Sequence, residues 1–203
     1  MSGSTQEILV LYYSPGGTTA ELANIIARGV EEIDGVQARI RTVPPVSPVC
    51  EKVAEEVPEE GPLYASTDDL LECDGLILGC PTHFGNMPAA MKYFIDSTSA
   101  LWMGGKLAGK PAAVFSASTS MHGGQESTLL TMMLPLLHHG MLIVGLPYTE
   151  TALFETKSGG SPYGVTRLTD DLETTPISQE ERELSLALGR RVAGVAKKLS
   201  TEN

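Results

Sequence analysis

The stretch EILVLYYSPGGTTAELANII, residues 7–26, decides the fold. It opens with a continuous apolar run, 8–13, of the kind found in parallel strands that are buried on both faces. The turn SPGGTT, 14–19, follows at once. Apolar residues then recur at helical spacing: Leu22, Ile26, Val30 and Ile33. Thr18 and Glu21 fit the capping-box pattern, so we expect a helix that starts directly after the turn.

The rest of the chain repeats this alternation of strand and helix. Three more continuous apolar runs, 75–80, 112–117 and 141–145, predict central strands. The segment 36–43 alternates apolar and polar residues, which predicts an edge strand with one wet face. Helices are expected at 87–97, 126–138 and 178–199. With right-handed crossovers, this pattern predicts an α/β fold: a flavodoxin-like, doubly wound, five-stranded parallel sheet of order 2-1-3-4-5, with helices on both faces.

We expect residues 1–203 to form a single domain. Two stretches exceed what a minimal five-stranded unit needs, at about 44–69 and 146–177. The first carries five prolines and many acidic residues, and the second contains the segment KSGGSPYG. Loops of such length in a compact domain usually serve function or assembly.

Composition excludes several classes of protein. The net charge of −11 disfavours nucleic acid and anionic membrane surfaces as partners. No stretch is long and apolar enough for a membrane span, and the first residues do not resemble a signal peptide, so we expect a cytoplasmic protein. The cysteines Cys50, Cys73 and Cys80 lack metal-site spacing, and we expect them to be reduced bystanders.

Ligands of such folds bind beyond the carboxyl ends of the strands, where the strand order reverses. The first such end is SPGGTT, 14–19, where two glycines and three hydroxyls lead into a helix N-terminus. Backbone N–H groups and the helix dipole favour an anion there, and we expect a terminal phosphate. The alternative is that Gly16 and Gly17 only close a tight turn. The loop is neither GxGxxG nor GxxxxGK[ST], which disfavours a dinucleotide site or a nucleoside triphosphatase.

The next two strand ends suit a flat heteroaromatic ring. In PTHFGN, 81–86, a bulky Phe84 lies beside an open backbone; the alternative is that Phe84 is a core residue. In SASTSMHGGQES, 116–127, successive N–H groups could stabilise the negative charge of a reduced flavin. The candidate cofactor-binding residues are Ser14, Pro15, Gly16, Gly17, Thr18, Thr19, Pro81, Thr82, His83, Phe84, Gly85, Ser116, Ala117, Ser118, Thr119, Ser120, Met121, His122 and Gly123. His83 and His122 could instead be solvated loop residues.

Six motifs carry a resemblance to a known family. LVLYYSPGGTT, PTHFGNMPAAMKYFID, LWMGGKLAGKPAAVFSAS, HGGQE, HHGM and GGSPYG occur in this order along the chain. Together they resemble the WrbA-type NAD(P)H:quinone oxidoreductases, which are FMN enzymes of flavodoxin-like fold. The resemblance covers essentially the whole chain.

The resemblance implies FMN as cofactor and a two-electron reduction of quinones to hydroquinones by NADH or NADPH. The two substrates would alternate in one pocket with ping-pong kinetics, and hydride would pass through flavin N5. Trp102 and Phe84 would wall the substrate pocket. His138 would reach the flavin, often across a subunit boundary, and is the best candidate for a hydrogen bond to a quinone oxygen; the alternative is that it only ends a helix. The family also implies a homotetramer.

One departure from the family concerns the reductant. Some relatives carry an aromatic residue that touches the nicotinamide nucleotide where this chain has Gly16, so the choice of nucleotide stays open. Other functions also remain open at this stage. The chain could be a flavodoxin-type FMN electron carrier without small-molecule turnover, a reductase that releases reduced flavin, or a binding module without redox activity.

Overall fold

A parallel sheet lies at the centre of the computed structural model, which describes residues 5–46, 58, 61–170 and 175–200. Its strands are β1 (Gln6–Tyr12), β2 (Val36–Thr42), β3 (Gly75–Pro81), β4 (Pro111–Ser118), β5 (Leu142–Ile143) and β6 (Val165–Leu168). The order β2-β1-β3-β4-β5 confirms the predicted order, with β2 at the edge.

The sheet has a sixth strand that the sequence did not predict. β5 pairs with the start of β4, Pro111 and Ala112, and β6 pairs with its second half, from Phe115 to Ser118. The fifth position of the sheet is therefore shared by two short strands, and most of the predicted insertion at 146–177 lies between them or is β6 itself. β6 escaped prediction because it has four residues and carries a charged Arg167 in an otherwise apolar setting.

Helices cover both faces of the sheet, as expected. They are α1 (Thr18–Glu31), α2 (Thr67–Glu72), α3 (Ala89–Asp96), α4 (Ser99–Met103), α5 (Gln125–His138), α6 (Ala152–Glu155) and α7 (Gln179–Ser200). Alternate residues of β1 belong to two separate cores. Ile8 and Val10 pack with α1 and α7 on one face, and Leu9 and Leu11 pack with α3 and α5 on the other.

The helix predicted at 87–97 is confirmed as α3, and a further short helix, α4, follows it after Ser97 and Thr98. One prediction about a helix end needs correction. The predicted capping box of Thr18 and Glu21 is wrong: the N-cap residue is Gly17, which has no side chain to cap α1. Thr18 already lies in the first turn, where its hydroxyl cannot take the N-cap position.

The predicted insertion at 44–69 lies partly outside the described residues, as does Cys50. Its described part extends the sheet edge, because Ala65 N–H donates to the Thr42 carbonyl over 2.7 Å. In the described residues, no helix is long and apolar enough to cross a membrane.

The half-exposed face of β2 is covered by an ion-pair network rather than by water alone. Arg39 contacts Glu7 over 2.5 Å and both Asp69 and Glu72 over 3.1 Å, and Arg41 contacts Asp69 over 3.0 Å. Asp69 also accepts hydrogen bonds from the backbone N–H and the hydroxyl of Ser66, over 2.8 and 2.9 Å. The burial of Asp69 acts to raise its pKa, but the Ser66 hydrogen bonds and the two arginines outweigh it and hold the pKa below the ordinary 3.8.

This carboxylate makes stability depend on pH in a defined direction. A pKa that is lower in the folded state stabilises the fold above the unfolded-state pKa, and this stabilisation is lost as pH falls through the folded-state value. We expect Asp69→Asn to lower the free energy of unfolding near neutral pH by about 1–3 kcal/mol. The difference from wild type should shrink below about pH 4, where the unfolded carboxyl protonates. Urea denaturation across the pH range measures both effects. Asp68→Asn, one residue away and exposed, is the control; an equal loss in both variants would contradict the role of Asp69.

Candidate functional site

The carboxyl ends of β1, β3 and β4 meet around a cavity of about 330 Å³. Three of its walls are the loops that the sequence predicted. Its lining residues are Ser14, Pro15, Gly16, Thr18, Thr19, Pro81, Thr82, His83, Ala117, Ser118, Thr119, Ser120, Gly123 and Thr169. None of these is a lysine or an arginine, so an anion bound here would be held mainly by backbone amides, hydroxyls and the dipole of α1.

The first loop is shaped by Gly17 and Ser14. Gly17 has φ 93°, a left-handed conformation that turns the chain from the loop into α1. Its carbonyl accepts the N–H of Glu21 over 3.0 Å, the first hydrogen bond of the helix. The Ser14 hydroxyl accepts the N–H of Ala20 over 3.1 Å. The loop is thus folded back on the helix start, with the N-terminal end of α1 pointing at the cavity.

The second loop is a tight turn that pushes a phenylalanine outward. Phe84 and Gly85 both have positive φ, 53° and 74°, and His83 and Asn86 exchange backbone hydrogen bonds of 2.8 and 3.1 Å around them. Two successive positive φ values define a type I′ turn, which disfavours a bulky residue such as Phe84. The ring of Phe84 is fully exposed at 109% and does not line the cavity. An exposed aromatic residue on a strained turn at the rim is typical of a contact surface for a ligand or partner.

Buried polar residues hold the second and third loops together. The hydroxyl oxygens of Thr82 and Thr128 are 2.5 Å apart. Gln125, at the start of α5, donates to the Ser118 hydroxyl over 3.1 Å, and Ser118 donates in turn to the Ser120 carbonyl over 2.7 Å. Thr128 and Gln125 are buried and were not predicted as site residues. The available signal was their position on the first turn of a helix directly behind a polar loop.

Thr169 is a lining residue that the sequence did not reveal. It follows β6, and its backbone N–H donates to the Ser118 carbonyl over 3.0 Å. Its hydroxyl is buried and has no hydrogen-bond partner among the described residues. An unpaired buried hydroxyl is costly, and a polyhydroxylated ligand in the cavity offers partners for it. The donor set of the cavity therefore fits a phosphate and a sugar-like chain.

A buried carboxylate fixes the segment that carries Thr169. Glu181, near the start of α7, accepts the N–H groups of Gly159 and Leu168 over 3.0 Å and that of Ser178 over 3.1 Å. Three backbone donors satisfy the charge, although the residue is almost completely buried. Glu181 thereby links the segment around Gly159 and the end of β6 to α7. It fixes the position of Thr169, which forms the fourth wall of the cavity.

Several predicted residues lie outside the cavity lining. Ser116 is fully buried and donates to the Cys80 carbonyl over 2.9 Å, so it supports the floor. Gly17 and Gly85 shape the backbone of their loops without lining the cavity, and Met121 and His122 are exposed. Cys73 and Cys80 are buried free thiols, and burial raises the pKa of Cys73 to about 11 and that of Cys80 to about 12.

Trp102 and His138 lie together, but in a different pocket. This pocket, of about 320 Å³, is formed by α3, α4 and the end of α5. It shares no lining residue with the cavity at the strand ends. Both side chains are exposed there. Within one chain, therefore, these two residues are not brought to the predicted cofactor site.

His139 connects the walls of that second pocket. α5 ends in a Schellman motif, in which Gly140 N–H donates to the Leu137 carbonyl and Met141 N–H to that of Leu136. The His139 Nε2 atom is 2.9 Å from the Thr98 hydroxyl, which itself donates to the Ile95 carbonyl. Nε2 is therefore the donor of this pair. Burial first, and the proximity of His138 second, lower the pKa of His139 and so favour the neutral form of the ring.

Comparison with known proteins agrees with this geometry. A WrbA-like flavodoxin from Agrobacterium tumefaciens has a similar structure, with 24% identity and a TM-score of 0.65 over 95% of this chain and 98% of that one. A flavodoxin from the domain Archaea matches with 18% identity and a TM-score of 0.63 over 95% and 99%. Flavodoxin 1 from Bacillus cereus matches with 20% identity and a TM-score of 0.60 over 93% and 98%.

The sheet order and the cavity at the switch point define the class as a flavodoxin-like protein. The profile of the NADPH-dependent FMN reductase family matches residues 6–151, more than half of the chain. The chain belongs to this family, which is one of FMN oxidoreductases, and FMN is its cofactor.

Proposed function

We propose that the protein is a WrbA-type enzyme that reduces quinones to hydroquinones with NADH or NADPH. The observation that carries this proposal is the cavity at the strand ends, with a glycine-turned helix N-terminus on one side and amide-rich loops on the other. Membership of the NADPH-dependent FMN reductase family supports the reductant. The six motifs named above support the quinone as acceptor.

Different loops of the chain would bind different parts of FMN. Residues 14–19 would hold the FMN phosphate through amides and hydroxyls. Thr82 and His83 would border the isoalloxazine ring, and residues 117–120 would meet its pyrimidine edge and the ribityl chain. When bound, FMN supplies reversible two-electron chemistry, so the protein must orient rings and stabilise charge rather than provide a nucleophile.

We propose that the second pocket reaches a cofactor only in an oligomer, a homotetramer. Trp102 and His138 lie apart from the cavity of their own chain, so a second copy would have to present them to it. The neighbouring face of α5 exposes a stripe of leucines, Leu130, Leu134 and Leu137, at helical spacing. An exposed apolar stripe of this kind is typical of an interface between copies. Light scattering on the FMN-loaded protein measures the mass; a monomer would contradict the assembly.

His138→Ala should lower kcat/KM for the quinone roughly tenfold, because a hydrogen bond to the reacting quinone oxygen is worth about 1–2 kcal/mol. The side chain is exposed in the single chain, so the fold should be unaffected. Steady-state kinetics with benzoquinone, together with the thermal midpoint, separate the two effects. Unchanged kinetics in a folded, oligomeric variant would contradict the placement of His138 at the substrate.

Anaerobic stopped-flow absorbance tests the proposed reaction. The FMN-loaded protein is mixed first with NADH or NADPH and then with benzoquinone. We expect the flavin spectrum to bleach in the first step and to recover promptly in the second. If FMN binds but neither nucleotide bleaches it, the electron-carrier function is favoured instead, and the net charge of −11 would suit docking on a basic redox protein.

A further inference from the structure

A buried arginine lies behind the first turn of α1. Arg167, on β6, is only 3% exposed. One terminal nitrogen forms an ion pair with the Glu21 carboxylate, and the other donates to the Thr175 carbonyl over 2.7 Å. Arg167 does not line the cavity, so it cannot bind a ligand there directly. Burial makes the positive charge of its guanidinium costly unless that charge is paired.

Glu21 is the residue that needs this partner. It lies in the first turn of α1, whose N-terminal end points at the cavity. A carboxylate near a helix N-terminus interacts favourably with the positive end of the helix dipole. It thereby weakens the attraction of that helix end for an anionic ligand. The FMN phosphate carries up to two negative charges, and the chain already has a net charge of −11. An unpaired Glu21 would repel that phosphate.

We propose that Arg167 neutralises Glu21 and thereby keeps the N-terminus of α1 open to the phosphate of FMN. Arg167 is in this sense a positioning residue that favours phosphorylated flavin over riboflavin. The ion pair is asymmetric, since the side chain of Arg167 is 4% exposed and that of Glu21 is 47% exposed. The carboxylate of Glu21 is thus half-exposed to solvent, and its counter-charge is fixed in the interior. Glu21 lines a neighbouring pocket with Arg28 and Arg182 rather than the strand-end cavity, so it would act on the phosphate through the field at the helix N-terminus and not by contact. This inference rests on the proposed placement of the phosphate at residues 14–19.

The affinities for FMN and for riboflavin test the proposal, because only FMN carries the phosphate. Fluorescence titration of the apoprotein measures both. We expect Arg167→Met to weaken FMN binding roughly five- to tenfold and riboflavin binding less than about twofold. The double variant Glu21→Gln with Arg167→Met removes both charges and should bring FMN affinity back to within about twofold of wild type. Equal losses for both flavins, or no recovery in the double variant, would overturn the proposal.

Two further variants keep the test decisive. Arg167→Lys retains the charge and should preserve the ratio of the two affinities even if the single Met variant folds poorly. Arg190→Met breaks the pair between Arg190 and Glu32 at the opposite end of α1, and the ratio should stay unchanged. A change in that ratio equal to that of Arg167→Met would overturn the proposal.

Gly17→Asp tests the placement of the phosphate separately. If this variant still binds FMN with full affinity, the placement is wrong, whatever the result for the Arg167 variants.

Discussion

Gly17→Asp is expected to weaken FMN binding at least about a hundredfold, because it places a carboxylate at the centre of the phosphate loop. Gly17 is the N-cap residue of α1 and has φ 93°, a conformation that glycine adopts without strain. An aspartate there adds a side chain beside the proposed phosphate and occupies the amides that the phosphate would use. Quenching of FMN fluorescence on titration with apoprotein measures the loss.

Gly35→Asp is a matched control for this variant. Gly35 also has positive φ, 78°, and an added Cβ would meet no atom within 4 Å. It adds the same charge and a similar backbone strain in the turn between α1 and β2, at the opposite end of α1 from the cavity. FMN affinity should therefore remain close to wild type. Equal losses in the two variants, or full FMN affinity in Gly17→Asp, would contradict the phosphate loop.

The arrangement of the sheet could be predicted from the sequence because it depends on local patterns. Continuous apolar runs marked the central strands, and the alternation around Arg39 and Arg41 marked the edge strand. β6 could not be found in this way. It is short, and its pairing with β4 depends on contacts with residues fifty positions away in sequence. Arg167 is tolerated inside the fold only because Glu21 and the Thr175 carbonyl lie next to it.

In the candidate site, too, local sequence patterns predict some residues, and only tertiary contacts reveal others. The hydroxyl and glycine pattern of residues 14–19 indicates an anion site through chemistry that is local to the loop. Thr169 enters the site through tertiary structure, and nothing in its neighbouring residues indicates it. Trp102 and His138 share one pocket, as their proposed common role requires, yet that pocket lies apart from the cavity. A sequence motif can indicate that residues share a function. It does not indicate whether those residues meet within one chain or between two chains.

The close packing of α1 on α7 provides the second large expected effect. The two helices touch backbone to backbone at a pair of glycines. A Cβ on Gly29 would lie 2.2 Å from the Leu186 carbonyl oxygen, and one on Gly189 would lie 2.1 Å from that of Ile26 and 2.7 Å from the Val30 nitrogen. Backbone atoms cannot give way as a side-chain end can, so a methyl group at Gly189 must push the helices apart.

Gly189→Ala should therefore lower the free energy of unfolding by about 3 kcal/mol, even though alanine favours helix over glycine. For a chain of this size, the thermal midpoint should fall by roughly 6–12 °C. Gly194→Ala on the same helix is the control, because its Cβ would meet nothing within 4 Å; it should gain about 0.5–1 kcal/mol. A thermal melt of both variants decides the matter, and similar shifts would contradict the close contact. α1 begins at the phosphate loop, so a displaced α1 could also change that loop. If the loop keeps its shape in Gly189→Ala, FMN should still bind and should raise the thermal midpoint of this variant.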